Sequence, residues 1–354
     1  MSKKKTNTPS PAPKKRKITA AQRKARKNVA NHSVILFWFT AIALVLLFVG
    51  RWVVAISNGY YGAFVEMDAS VSQAARNMTG LDPTDAEDEL LLPLQREWDL
   101  YTSSRLRDEV TVTAQDFTQL HGYLYNEGSS VTVVVLPRFY QDGTADFLPG
   151  PWLNQLTGCN ILLIDPRLHG GSAGHYFSFG VREQQDLAAW LAWADETLGR
   201  QTFILWGEGT GANTALMAEA NGLLPDNVAF LVAESPYASL HQLAKEHIWT
   251  WYSVPSVPFL PAIEWKLARS NAGFTVKDLE LGALLSGSEC DLPVLFLQSE
   301  ADAYILPAWT QAVSDRYSGP QATISGGGTH GTVYAAQLVD VQNLLTQWWA
   351  YYGQ

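Results

Sequence analysis

The sequence predicts an α/β fold for residues 108–354. The expected architecture is a mostly parallel sheet with helices on both faces and a small helical cap, preceded by one transmembrane helix. Three observations carry this. From Asp108 onward, short β-rich runs alternate with helix-sized intervals. The later runs are continuously apolar, as in strands covered on both faces. Upstream, Val34–Gly50 reads VILFWFTAIALVLLFVG without a charge, close to the ~20 apolar residues a bilayer-spanning helix needs.

Taken in order, residues 1–32 hold 11 of the 25 Lys and Arg and no acid, and their Lys, Pro, Ser and Thr bias predicts a disordered tail. A basic tail on an acidic body can signal nucleic-acid binding, but the apolar run beside this one favours another role. After Arg51 that run resumes as WVVAI, and Arg51 can snorkel while Trp52 suits the interface. A cleaved signal peptide is the competing reading. It would have a shorter apolar region and small residues at its cleavage site, for which Ser57-Asn58-Gly59 is a poor substitute. Residues 33–57 are therefore expected to anchor the chain in the cell membrane. The basic excess before the span places the N-terminus in the cytoplasm and the body outside it, with the tail free to touch anionic head groups.

Residues 58–107 read as a stalk or N-terminal helical segment with an acidic patch (Asp85, Glu87, Asp88, Glu89). The expected strands are EVTVTA and LHGYLYN, close enough for an antiparallel hairpin, then VTVVVL, NILLID, FILW, AFLVAE, PVLFLQ and ATIS. Between the sixth and seventh, the aromatic-rich insert at about 239–289, with Trp249, Trp251, Tyr252 and Trp265, could cap the sheet's C-terminal edge or simply pack as helices.

Between Phe203 and Leu216 the chain reads FILWGEGTGANTAL, a strand passing through a glycine-rich turn into a helix. That is the frame of a nucleophile elbow, G-x-S-x-G, with Gly209 where serine is expected. The segments IDPRLHGGSAGHYFSFGVREQQDLAAWLAW, AESPYASL, LPVLFLQSEADAYILP and GGGTHG point the same way. With them, residues 108–354 resemble the α/β-hydrolase superfamily, in particular bacterial membrane-anchored or secreted hydrolases akin to the prolyl-oligopeptidase and cinnamoyl-esterase groups. Leu168 departs from that group's usual glycine.

The resemblance implies a Ser…Asp…His order, which maps the acid to Asp302, after PVLFLQ, and the base to His330, after ATIS. The nucleophile is missing. Glycine visits φ > 0 freely, so its presence would relax a turn that strains other residues, but losing the nucleophile of a serine hydrolase costs about 10⁶-fold in rate. The oxyanion hole would draw on the N–H of Thr210 and on the loop LPRFYQDG. There Pro137 has no N–H, leaving Arg138 or Phe139 as donors. Glu208 and Thr210 flank the empty position, and Thr210 is the one residue that could serve as a displaced nucleophile.

The leading expectation is a hydrolase-derived pseudoenzyme holding a small acyl- or peptide-like ligand or a protein partner. The alternatives are an active esterase or peptidase using Thr210 or a water activated by His330, and a nucleotide-binding protein. The last rests on G-E-G-T-G-A at 207–212 matching G-x-G-x-x-A, with Glu234 ending the next strand. HGGS at 169–172 is expected to be structural. His121, Asp165, His169 and His175 lack zinc-ligand spacing; no metal or other cofactor is expected. In the strand order the resemblance implies, Cys159 and Cys290 lie three strands apart, about 19 Å, too far for a disulfide.

Overall fold

A computed structural model describes residues 19–67, 85–270 and 272–353. Most of the basic tail (1–18) and part of the expected stalk (68–84) lie outside the described residues. The chain divides into two compact units, Met1–Val54 and Ala55–Gln354.

Helix α1 (Ala20–Phe64) opens ahead of the apolar run in the first unit, and its last residues, from Ala55, belong to the second. The basic stretch Arg23–Lys27 is thus helical, where composition suggests a disordered tail. Its Ala, Gln, Arg and Lys residues are strong helix formers, and a long apolar helix beside them removes the cost of nucleation. From Val34 to Val54 the large apolar side chains are mostly exposed. With mean hydropathy 2.6 over its best window, this helix is long and apolar enough to cross a membrane.

The second unit is built on an eight-stranded sheet. Its strands are β1 (Asp108–Thr113), β2 (Gln119–Tyr125), β3 (Val131–Leu136), β4 (Asn160–Ile164), β5 (Thr202–Glu208), β6 (Val228–Glu234), β7 (Val294–Ser299) and β8 (Gln321–Gly326). Their order is β1-β2-β4-β3-β5-β6-β7-β8. The hairpin β1–β2 and the β2–β4 pair are antiparallel, and all other pairs are parallel. β3, β4 and β7 are buried along their whole length, the reason their sequences show no polar alternation.

Between and around the strands run α2 (Asp85–Ser103), α3 (Gly150–Thr157), α4 (Glu183–Thr197), α5 (Thr210–Ala220), α6 (Leu240–Tyr252), α7 (Ser256–Arg269), α8 (Leu281–Ser286), α9 (Pro307–Ser314), α10 (Val333–Ala336) and α11 (Leu338–Tyr352). One apolar cluster lies on the face holding Trp190, Leu216 and Phe296. The other holds Trp98, Trp206 and Leu345. Leu94, Trp98 and Tyr101 of α2 belong to it, so this part of the expected stalk packs onto the sheet. The segment expected as a cap forms α6, α7, a 3₁₀ turn (Val276–Leu279) and α8. Cys159 and Cys290 are both buried and free.

Candidate functional site

The site assembles at the C-terminal ends of β5, β7 and β8. β5 runs into the turn Gly207–Gly211 and on into α5. Gly209 sits at its apex with φ 51° and ψ −108°, a region L side chains rarely occupy. Its N–H donates to the Glu234 carbonyl (2.8 Å), and its carbonyl accepts from the Asn213 N–H (3.0 Å). A Cβ placed on Gly209 would meet only the Cβ of Arg138, at 3.6 Å. The flanking glycines differ. One on Gly207 would lie 2.6 Å from the Ala212 nitrogen, and one on Gly211 would overlap the Leu136 carbonyl. Close packing dictates two glycines of the frame; at Gly209 there is room for a side chain.

The loop after β7 carries Asp302, whose side chain is 1% exposed. Its Oδ1 accepts from the N–H groups of Tyr304 (2.9 Å) and Ile305 (2.7 Å). Its Oδ2 accepts from the Ser235 hydroxyl (3.2 Å) and lies 2.7 Å from His330 Nδ1. A carboxylate only accepts, so Nδ1 carries the proton and Nε2 is left as the basic nitrogen. The His330 loop is tied to the sheet through the Ser299 hydroxyl and Gly328 carbonyl, and internally by Thr329 N–H to Thr332 Oγ1 (2.8 Å). Arg138 reaches over from the loop after β3 and donates to the His330 carbonyl (3.4 Å).

Gly209, Thr210 and His330 share a cavity with Arg138 and Phe139. Thr210 opens α5, so its N–H has no intrahelical acceptor and is available to an oxyanion. Two expected site residues face elsewhere. Pro137 lines a separate space behind the elbow, with Glu183, Asp186 and Thr214. Glu208 stands beside Glu234 in the β5–β6 register and is not part of the cavity wall. Burial, with Glu208 adding repulsion, pushes the Glu234 carboxyl well above the usual range.

Other wall residues were not anticipated from the sequence, among them Tyr60, Phe64, Phe179, Tyr237, His247 and Tyr304. Tyr237 lies within AESPYASL and Tyr304 two residues past the acid, so both were within reach. Burial lowers His247 to about 3 and thus keeps it neutral at ordinary pH.

HGGS is a scaffold. Asp165 accepts from the N–H groups of Gly143 (2.6 Å) and Gly171 (2.7 Å) and pairs with His121 Nδ1 (2.7 Å), while the Ser172 hydroxyl donates to the Asp165 carbonyl (2.7 Å). Arg167 grips Asp186 (2.5 and 2.7 Å) and Asp116 (2.6 and 3.1 Å). Among the described residues, no three His, Cys, Asp or Glu side chains converge as metal ligands would.

No family model matches the chain. It is 30% identical over 179 residues to the uncharacterized protein YqkD of Bacillus subtilis, a match covering 50% of this chain and 57% of YqkD. The esterase Pf2001 of Pyrococcus furiosus superposes with TM-score 0.58 at 19% identity, over 72% of this chain and 96% of the esterase. DcsB, solved in complex with a substrate analogue, gives 0.52 at 18% identity over 70% and 100%. The acylaminoacyl peptidase of Pyrococcus horikoshii gives 0.52 at 12% identity over 72% and 43%. The sheet order also departs from the 3-2-1-4-5-6 order of a dinucleotide-binding fold. The chain has the α/β-hydrolase fold.

Proposed function

We infer that this is a membrane-anchored α/β-hydrolase-fold protein whose pocket binds a ligand without serine-dependent chemistry. One observation carries the reading. The apex of the elbow, facing an intact Asp302–His330 pair, is Gly209. A base lies ready with no hydroxyl at that position to deprotonate. The names of the similar esterase and acylaminoacyl peptidase support a small acyl- or peptide-like ligand. The apolar α1 supports anchoring in a bacterial cell membrane. The cationic excess before its apolar run supports a cytoplasmic N-terminus and an extracytoplasmic domain.

The retained pair and the place of Thr210 on the cavity wall favour a second reading, slow hydrolysis by a water that His330 activates or by Thr210 itself. One experiment separates the two. The full chain in detergent and its Gly209→Ser variant are treated with an ethyl fluorophosphonate probe and assayed on p-nitrophenyl esters. The binding reading expects labelling of the variant alone and no turnover by the parent. Turnover by the parent that disappears in His330→Ala would overturn it, and labelling of the parent at Thr210 would identify a displaced nucleophile.

A further inference from the structure

The wall of the Gly209 cavity is finished by the last turns of α1. Tyr60 and Phe64 are buried. The Phe64 ring stacks on Phe139 at 5.3 Å and on Tyr60 at 4.3 Å. The Tyr140 hydroxyl donates to the Ala63 carbonyl (3.1 Å), and the Phe177 N–H donates to the Val65 carbonyl (2.8 Å).

Those residues also form one side of a second, narrow cavity whose other side is the cap: Ala244, Leu260, Ile263 and Leu267. Its lining is mostly apolar, and the ionisable pair within it, His241 and Glu264, is engaged internally at 2.6 Å. Such a space offers a peptide backbone few partners but suits a hydrocarbon. Tyr60, Phe64, Phe179 and Leu240 line both cavities, so the second one lies against the first.

The chain itself indicates where a hydrocarbon would come from. Ser57 directly succeeds the apolar run that ends at Ile56, and its hydroxyl donates to the Phe259 carbonyl of α7 (3.3 Å). Next to it, Lys266 Nζ donates to Asn58 Oδ1 (3.0 Å). At ~1.5 Å per residue, Tyr60 lies about 6 Å and Phe64 about 12 Å along the helix from Ile56. The head-group layer is about 5–8 Å deep on each side of a bilayer, so the shared wall starts at head-group level. The cap also exposes Trp249, Val257 and Trp265, and tryptophan suits that layer.

We propose that the second cavity is an acyl-chain subsite filled from the bilayer. Its ligand is a single-chain amphiphile, with its polar end at Gly209 and His330 and its hydrocarbon between the end of α1 and α7. This rests on the reading of the chain as a membrane-anchored ligand binder.

The test uses the full chain in phosphatidylcholine vesicles containing a lysophosphatidylcholine with a diazirine in its acyl chain. Irradiation precedes peptide mapping. Adducts are expected on the segments holding Tyr60, Phe64 and residues 260–267, falling at least about tenfold in Ala244→Phe, whose ring fills the cavity. Ile263→Phe serves the same purpose should Ala244→Phe fold poorly, and the parent map needs neither. Adducts confined to residues 34–56, or undiminished in a folded cavity-filling variant, would overturn the subsite. Fluorophosphonate labelling of Gly209→Ser reports separately on the polar end. Labelling without cavity adducts removes the acyl subsite alone, and cavity adducts without labelling remove the reading of Gly209 alone.

Discussion

Alanine placed at two glycines of one turn should give sharply different outcomes. At Gly209 a methyl group meets only Arg138 Cβ, at ordinary contact distance. The cost of Gly209→Ala is therefore the backbone strain of φ 51°, ψ −108°, on the order of 1–3 kcal/mol. For a domain of this size that corresponds to a fall in melting temperature of roughly 2–4 °C per kcal/mol. At Gly211 a methyl group would occupy the space of the Leu136 carbonyl oxygen. Neither the strand nor the helix can retreat without breaking the β3–β5 and β5–α5 packing, so Gly211→Ala should cost more than about 4 kcal/mol. Thermal unfolding of the full chain in detergent, monitored by near-UV circular dichroism, reads both. Equal losses, or no measurable loss at Gly209, would refute the idea that the apex glycine relieves strain while its neighbour provides clearance.

Arg167→Ala should cost about 3–5 kcal/mol, because it strands the buried Asp186 without its partner; denaturant titration measures it. Glu234 gives a pH signature. A carboxyl raised in the folded state holds its proton where the unfolded chain has lost it. Its stabilisation is therefore complete below the ordinary carboxylate range and declines as pH rises through the raised value. Glu234→Gln should flatten that decline in melting temperature between the ordinary carboxylate range and about pH 8, and an unchanged slope there would contradict the assignment. Both cysteines should resist alkylation in the native protein and react fully in denaturant, since Cys159 and Cys290 are buried thiols. Mass shifts after iodoacetamide treatment check this.

The sequence made the scaffold readable because its strands are short, apolar and bounded by loops that carry chemistry. β5 with its glycines, Asp302 after β7 and His330 after β8 could be placed from motif and order alone, and the geometry brings the last two to 2.7 Å. What could not be read was direction. Pro137 and Glu208 are adjacent to true wall residues in the chain, yet neither lines the cavity: Pro137 lines the space behind the elbow, and Glu208 stands in register beside Glu234. Tyr60 and Phe64 were hidden for another reason. They continue a helix whose apolar character already had an explanation, so nothing in the pattern distinguished the exposed residues of the apolar run from those that pack in the domain.

The elbow keeps its shape through the backbone of its neighbours, the Glu234 carbonyl and the Asn213 N–H, and through clearance at Gly207 and Gly211. None of these depends on what stands at position 209. The codons GGT and GGC differ from AGT and AGC by a single base. A glycine so encoded is therefore one point mutation from serine, with no loop to rebuild. In evolutionary terms the two forms of this turn are immediate neighbours, and passage between them in either direction leaves the fold intact.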